Sequence, residues 1–131
     1  MGVTYLLDTH VVLWLLSEPN RVPQDVRDLL DDPVNPLAVS AVSALEVATK
    51  VRLGKLSAPG LIDTWSQRVA TMGAEPLSVT TDHALLAGRL AWAHRDPFDR
   101  LLVAQAMIEG MSLVTVDSAM AHLPAPAVVA W

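Results

Sequence analysis

Short apolar runs alternate along the chain with longer amphipathic segments, and this alternation restricts the fold more than any other feature. It is typical of α/β domains, in which a helix returns the chain from one strand to the next parallel strand. Five runs are predicted to be strands: Val3–Leu7, Leu37–Val39, Pro76–Val79, Ser112–Val116 and Val128–Val129. Six segments are predicted to be helices, with a further turn from Ser118: Thr9–Leu16, Gln24–Leu30, Val42–Leu53, Leu61–Met72, Asp82–Ala93 and Phe98–Glu109. We therefore expect an α/β domain built around a parallel sheet.

Length and composition agree with one globular domain over residues 1–131. The chain is 52% hydrophobic, and neither a repeat nor a long linker divides it. Its longest apolar stretch near the start, Val11–Leu16, is much shorter than the ~20 residues that span a bilayer, so we expect neither export nor membrane insertion. The chain has no Cys, which suits the cytoplasm and leaves oxygen and imidazole as the ligands for any metal.

The charge pattern excludes one class of nucleic-acid-binding protein. A formal net charge of -5 argues against a protein that coats nucleic acid through a basic surface, because phosphate affinity comes mainly from Lys and Arg. A local cationic rim remains compatible with the sequence, since seven of the nine basic residues fall between positions 50 and 100. They are Lys50, Arg52, Lys55, Arg68, Arg89, Arg95 and Arg100.

Four acidic residues are predicted to meet at one edge of the sheet. Asp8 follows the first predicted strand and Asp117 follows the strand of "SLVTV", while Glu46 and Asp99 lie near the starts of two helices. In a parallel sheet, the carboxyl ends of the strands and the starts of the following helices share the edge where ligands bind. All four carboxylates are therefore expected to point toward one region.

Each of these acids also has a purely structural interpretation. Asp8 and Asp117 fit helix N-caps, Ser43 to Glu46 fits an S-x-x-E capping box, and Asp96, Pro97 and Asp99 fit a cap, a first-turn proline and an acid at the third helical position. Taken singly, capping is the simpler interpretation. Four converging carboxylates, however, repel one another by up to ~4 kcal/mol per close pair unless a cation lies among them. The set as a whole therefore favours a metal site.

The ligand types indicate which metal and which chemistry. Carboxylate oxygens without Cys or paired His favour Mg²⁺ or Mn²⁺ over structural zinc. Such ions typically act on phosphates, where they activate water and neutralise charge on the departing oxygen of a phosphodiester. The acidic set therefore predicts a nuclease.

Four segments carry a resemblance to a known family: "LLDTHVVLWLL", "SALEVATKVRLGKL", "DPFDRLLVAQA" and "LVTVD". They stand in the order and spacing of the PIN domain, and the whole chain resembles a VapC-type toxin of a bacterial toxin–antitoxin pair. The resemblance implies a three-layer α/β/α fold with a central parallel sheet of four to five strands. It also implies an endoribonuclease that depends on Mg²⁺ or Mn²⁺, forms a homodimer and is inhibited by a VapB-like antitoxin.

The resemblance assigns the metal-binding acidic quartet to Asp8, Glu46, Asp99 and Asp117. Many members have Asn two residues after the first Asp, whereas this chain has His10. Asp96 belongs to the "HRDPFDR" stretch of one branch of the family, and three roles stay open for it: a cap, a residue that supports a ligand, or a substitute ligand.

Several neighbouring residues are candidates for supporting roles. Thr9, Ser43 and Thr115 are expected to cap helices locally or to bond to water or phosphate at the site. Lys50, Arg52 and Lys55 follow Glu46 and form either a solvated helix face or a grip for phosphate. His10, His94 and His122 are candidates for proton transfer, although a packed or surface imidazole is the favoured interpretation for His83 and His122.

Three alternatives come from other classes of protein. A receiver domain requires paired acids after the first strand and a late Lys, but no Lys follows Lys55. A haloacid-dehalogenase-type phosphatase requires D-x-D where this chain has Asp8, Thr9 and His10. A non-catalytic interaction module, whose acidic pocket accepts an Arg of a partner, stays open.

Apolar surface in the Leu61–Met72 region and on early helices is expected to contact an antitoxin or a second copy of the chain.

Overall fold

Five parallel strands form the centre of the molecule. The computed structural model describes residues 3–131. The strands are β1 (Tyr5–Leu7), β2 (Leu37–Ser40), β3 (Ala74–Leu77), β4 (Ser112–Thr115) and β5 (Val128–Ala130). They lie in the order β3-β2-β1-β4-β5, and every neighbouring pair is parallel. The predicted parallel α/β architecture is therefore confirmed.

Helices connect the strands and cover both faces of the sheet. They are α1 (Thr9–Ser17), α2 (Gln24–Asp31), α3 (Ala41–Arg52), α4 (Trp65–Met72), α5 (Thr81–Arg89), α6 (Pro97–Glu109) and α7 (Ser118–Ala121), with a 3₁₀ turn at Pro19–Arg21. Within the described residues, no helix has both the length and the apolar character needed to cross a membrane.

Two apolar cores lie on opposite faces of the sheet, because successive strand residues point to opposite sides. Leu7 and Val39 pack with residues of α1, α2 and α4 on one face. Leu6 and Ala38 pack with residues of α3, α6 and α7 on the other. The sheet is thus the middle of three layers, as the resemblance implied.

Most predicted elements differ from the structure by one or two residues at an end, and three differences are more informative. The strand predicted at Pro76–Val79 lies two residues earlier, where it pairs with β2. The helix predicted over Leu61–Met72 begins at Trp65, because the chain forms turns around Gly60, whose φ of +74° lies in the left-handed region. The helix predicted over Asp82–Ala93 ends at Arg89.

The Leu61–Met72 region offers less apolar surface than we expected. Leu61 and Val69 are buried and belong to the interior, and Trp65 and Met72 are only partly exposed. Ile62 is the large apolar residue of this segment that lies open to solvent.

The sheet order brings the ends of β1 and β4 together. These two strands are direct neighbours at the centre of the sheet, and the Asp8 N–H extends their pairing by donating to the Val114 carbonyl at 2.9 Å. Asp8 precedes α1 and Asp117 precedes α7, so both acids stand at the same edge. The sequence predicted this placement, because each acid directly follows a predicted strand.

Candidate metal centre

Asp8 and Asp117 are linked through one buried threonine. The Thr115 hydroxyl donates to Asp8 Oδ2 at 2.7 Å and accepts a hydrogen bond from the Asp117 N–H at 2.9 Å. Asp8 Oδ1 accepts from the Thr9 N–H at 2.7 Å, and Asp117 Oδ1 accepts from the Ala119 N–H at 2.9 Å. Both acids therefore cap helices and still present carboxylates at the same edge, so capping and a site role are compatible.

Asp96 and Asp99 have the arrangement that the "DPFDR" stretch predicts. Asp96 Oδ1 accepts from the N–H groups of Phe98 at 2.9 Å and Asp99 at 3.4 Å, and Pro97 is the first residue of α6. Asp96 is thus the N-cap, and Asp99 lies in the first turn of the helix. The Asp99 carboxylate contacts His94, with 2.6 Å between Asp99 Oδ2 and His94 Nε2.

Glu46 reaches the site from the second turn of α3, and the capping box predicted for Ser43 and Glu46 is wrong. The N-cap of α3 is Ser40, whose hydroxyl accepts from the Val42 N–H at 3.0 Å. Glu46 Oε2 accepts a hydrogen bond from Lys50 Nζ one turn later. Among the described residues, nothing donates a hydrogen bond to Glu46 Oε1, although this atom is buried.

Ser43 has a different role from the predicted one. Its hydroxyl bonds to the Thr9 hydroxyl at 2.9 Å, and both side chains are buried. This contact joins the start of α1 to the first turn of α3. It therefore links the helix that Asp8 caps to the helix that carries Glu46.

Burial and mutual repulsion act on these carboxylates. Asp8 and Glu46 are each only 3% exposed, and Asp99 is 9% exposed. Burial raises the pKa of Asp8, against the lowering effect of its hydrogen bonds from Thr115 and the Thr9 N–H, and repulsion from Glu46 adds to the rise. Asp8 and Glu46 are thus close enough to repel each other inside the protein.

The pKa of Asp99 rises to about 6, with burial as the largest cause. The hydrogen bond from His94 opposes this rise, while repulsion from Asp96 and Asp8 adds to it. We expected the start of α6 to stabilise the Asp99 carboxylate through the helix dipole. Burial outweighs that effect, so Asp99 is a carboxylate under electrostatic strain rather than a stabilised one.

His94, in the segment between α5 and α6, lies beside Asp99 and Asp117. Ligand atoms of His94, Asp99 and Asp117 all lie within 4.8 Å of one another. The sequence named His94 only as a candidate for proton transfer, because nothing in a linear sequence shows that a residue five positions before Asp99 folds back onto it. The one feature of the sequence that pointed to this contact is that a His lies two residues before the Asp96 cap.

A groove of about 750 Å³ adjoins the acidic cluster at Thr9 and Lys50. Three further basic residues line it, together with exposed His10 and half-buried Trp14: Arg21, Lys55 and Arg68. Lys50 is not a free cation here, since it pairs with Glu46. Arg52 is exposed but does not line this groove. The cationic rim predicted from the sequence therefore includes Lys55, with Lys50 turned toward the acids.

The sheet and its acidic edge define an α/β protein with a carboxylate cluster of the kind that suits a hard divalent cation. The family model of the PIN domain matches residues 5–126. The chain is 32% identical over 118 residues to Ribonuclease VapC22 of Mycobacterium tuberculosis, with 87% of each protein covered. The chain therefore belongs to the PIN domain family, and within that family it is similar to VapC proteins.

Solved structures show the same fold at low sequence identity. The DNA-bound VapBC structure from Salmonella typhimurium matches with a TM-score of 0.74 at 18% identity, covering 98% of both chains. VapBC2 from Rickettsia felis, bound to a promoter DNA fragment, matches with a TM-score of 0.69 at 16% identity and the same coverage. These matches confirm the PIN-domain fold that the four sequence segments implied.

Proposed function

We propose that this protein is a VapC-like toxin, an endoribonuclease that cleaves RNA with a divalent metal ion held by Asp8, Glu46, Asp99 and Asp117. The similarity to Ribonuclease VapC22 over 87% of the chain supports the reaction class. The observation that carries the metal site is Glu46 Oε1, a buried carboxylate oxygen without a hydrogen-bond donor among the described residues. Such an atom is costly to bury unless a cation or water meets it.

The residues present fit Mg²⁺ or Mn²⁺. The site offers carboxylate oxygens, and the chain has no Cys that would favour a softer ion. Two of the carboxylates have raised pKa values because they are buried among other acids. A divalent cation would offset this repulsion, so binding of the ion would stabilise the charged forms of these carboxylates.

When bound, the ion supplies an activated nucleophile and positive charge beside the reacting phosphodiester. The protein supplies the geometry. Thr115 holds Asp8 to the end of β4, and the contact between Thr9 and Ser43 sets the spacing of α1 and α3. Lys50 donates to one oxygen of Glu46 and leaves the other without a donor among the described residues. These contacts hold the ligands in place without the ion. Such preorganisation increases the affinity of a metal site.

The groove beside the cluster is the proposed path of the RNA. It combines Lys55, Arg68 and the imidazole of His10 with Arg21, which pairs with Glu18 of the same groove, so it offers positive charge to a phosphate backbone in a protein whose net charge is -5. Phosphate contacts of this kind position a strand without reading its sequence. Lys55 is the proposed phosphate contact, while Lys50 acts through Glu46.

We also propose protein partners for this chain. Two of the structural neighbours are VapBC structures, and another is a toxin–antitoxin complex from Klebsiella pneumoniae. A VapB-like antitoxin is the corresponding partner here, and a homodimer is the proposed assembly. Exposed apolar residues on α3, α5 and α6 offer contact surface for either partner: Leu45, Leu85, Met107 and Ile108.

The function is tested by incubating the purified protein with a circular single-stranded RNA, which has no ends for an exonuclease. Cleavage to linear and shorter products is expected with Mg²⁺ or Mn²⁺. It is expected to stop with EDTA and to return when excess ion is added. Cleavage that persists in EDTA would contradict the metal assignment. Absence of cleavage with either ion would favour the non-catalytic interaction module that binds a partner Arg.

A further inference from the structure

A single arginine binds four carbonyl groups at the end of α5 and in the segment that follows it. Arg100 donates to the carbonyl oxygens of Leu90 at 2.9 Å, Trp92 at 2.6 Å and His94 at 3.0 Å, and also to that of Ala87 at 2.8 Å. These carbonyls belong to the end of α5 and to the turn that follows it. A planar guanidinium with five N–H donors can bind several acceptors at once, whereas a Lys ammonium cannot match this fixed geometry.

His94 is held from two further directions. Its ring stacks on Trp92, with 4.6 Å between the ring centres and 20° between the planes, and its Nε2 lies 2.6 Å from Asp99 Oδ2. The imidazole is thus held by its backbone, its ring face and its outer nitrogen together. This degree of restraint exceeds what a surface imidazole needs for packing.

A common pattern appears when the four acids are compared. Thr115 donates to Asp8, Lys50 donates to Glu46, and the Ala119 N–H donates to Asp117. For Asp99 the corresponding contact comes from His94. Hydrogen bonds of this kind orient metal ligands and are worth about 10–100-fold in metal affinity.

We propose that His94 is the positioning residue of Asp99, and that Arg100 and Trp92 hold His94 in place for this task. The Nε2–H donates to Asp99 Oδ2 and leaves Oδ1 for the ion. The donation does not depend on the charge of the ring, since both imidazolium and the neutral form with its proton on Nε2 carry this N–H. A separation of 2.6 Å between these atoms is that of a hydrogen bond. The inference rests on the proposed function, because it presupposes that Asp99 binds an ion.

A matched pair of substitutions tests this role. His94→Phe keeps a ring on Trp92 but removes the donor, whereas His94→Gln provides an amide N–H that can take the place of Nε2–H. Binding of Mn²⁺ alone is measured by the loss of the free-ion electron paramagnetic resonance signal. We expect His94→Phe to weaken Mn²⁺ affinity about 10–100-fold and His94→Gln to remain within about threefold of the wild type. Melting in EDTA shows whether each variant is folded.

The role of Arg100 is tested in a double-mutant cycle. Arg100→Lys is expected to weaken Mn²⁺ binding, and the double variant with His94→Phe is expected to bind no more weakly than His94→Phe alone. Additive losses would show that Arg100 does not act through His94, and this would overturn its part of the proposal.

The remaining outcomes separate this inference from the proposed function. Unchanged Mn²⁺ affinity in His94→Phe, or equal losses in the Phe and Gln variants, would overturn the positioning role while the metal site stands. A wild-type protein that binds no Mn²⁺ would overturn the proposed function and this inference with it.

Discussion

Asp8→Asn is expected to reduce RNA cleavage by more than about 100-fold, because loss of even an outer partner of a metal ligand typically costs 10–100-fold. The substitution keeps the shape of the side chain, and its amide oxygen can still accept from the Thr9 N–H or the Thr115 hydroxyl. What it removes is the negative charge that a hard cation requires. Initial rates on the circular RNA at saturating Mg²⁺ measure the loss.

The same variant is expected to be folded and, without metal, at least as stable as the wild type at neutral pH. Burial and Glu46 raise the pKa of Asp8, so the charged form costs free energy in the folded state. Thermal unfolding in EDTA is the control. If Asp8→Asn cleaves RNA at the wild-type rate, Asp8 is only the N-cap of α1 and the site assignment is wrong.

Asp99→Asn is expected to lose most of the activity, whereas Asp96→Asn is expected to retain much of it. Asp96 caps α6, and an Asn side chain can accept the same hydrogen bonds from the Phe98 and Asp99 N–H groups. Asp99 lies beside His94 and Asp117, where its charge matters. Equal loss of activity in both Asn variants, with folding intact, would show that Asp96 belongs to a site of five acids.

Stability separates the two residues as well. Asp96→Ala removes the cap and is expected to cost about 1 kcal/mol of folding free energy. Asp99→Asn is expected to have the opposite effect in metal-free protein at neutral pH, where it would stabilise the fold because it removes a charge that burial disfavours. Urea unfolding of each variant in EDTA measures both free energies.

The pH dependence identifies Asp99 as the source of that gain. Its pKa rises from 3.8 to about 6 on folding, so its favourable contribution is complete below pH 3.8 and is lost as the pH rises through about 6. The stability difference between Asp99→Asn and the wild type is therefore expected to grow between these two pH values and to be constant above them. A stability difference that does not change with pH would contradict the raised pKa of Asp99.

The predictions from sequence succeeded where local patterns determine structure. Apolar runs located all five strands, and the matching contexts of Asp8 and Asp117 put both acids at the same edge. The Asp-Pro start of α6 predicted its cap because proline at the first helical position and an acceptor before it are local features.

The failures involve contacts between distant segments. Ser43 fitted a capping box, but it bonds to Thr9, 34 residues earlier, and Ser40 caps the helix. At the end of α5, Arg100 binds the carbonyl groups of Ala87 and Leu90, a contact that no local propensity encodes. The raised pKa of Asp99 follows from burial, and burial at a helix start depends on the tertiary fold.

A crystal of the wild-type protein grown or soaked with Mn²⁺ tests the metal site directly, because the anomalous signal distinguishes the ion from water. We predict a peak among the carboxylates of Asp8, Glu46, Asp99 and Asp117, with Asp99 Oδ1 as a ligand and His94 still bonded to Oδ2. No peak at this edge of the sheet at saturating Mn²⁺, or a peak held by other residues, would contradict the account.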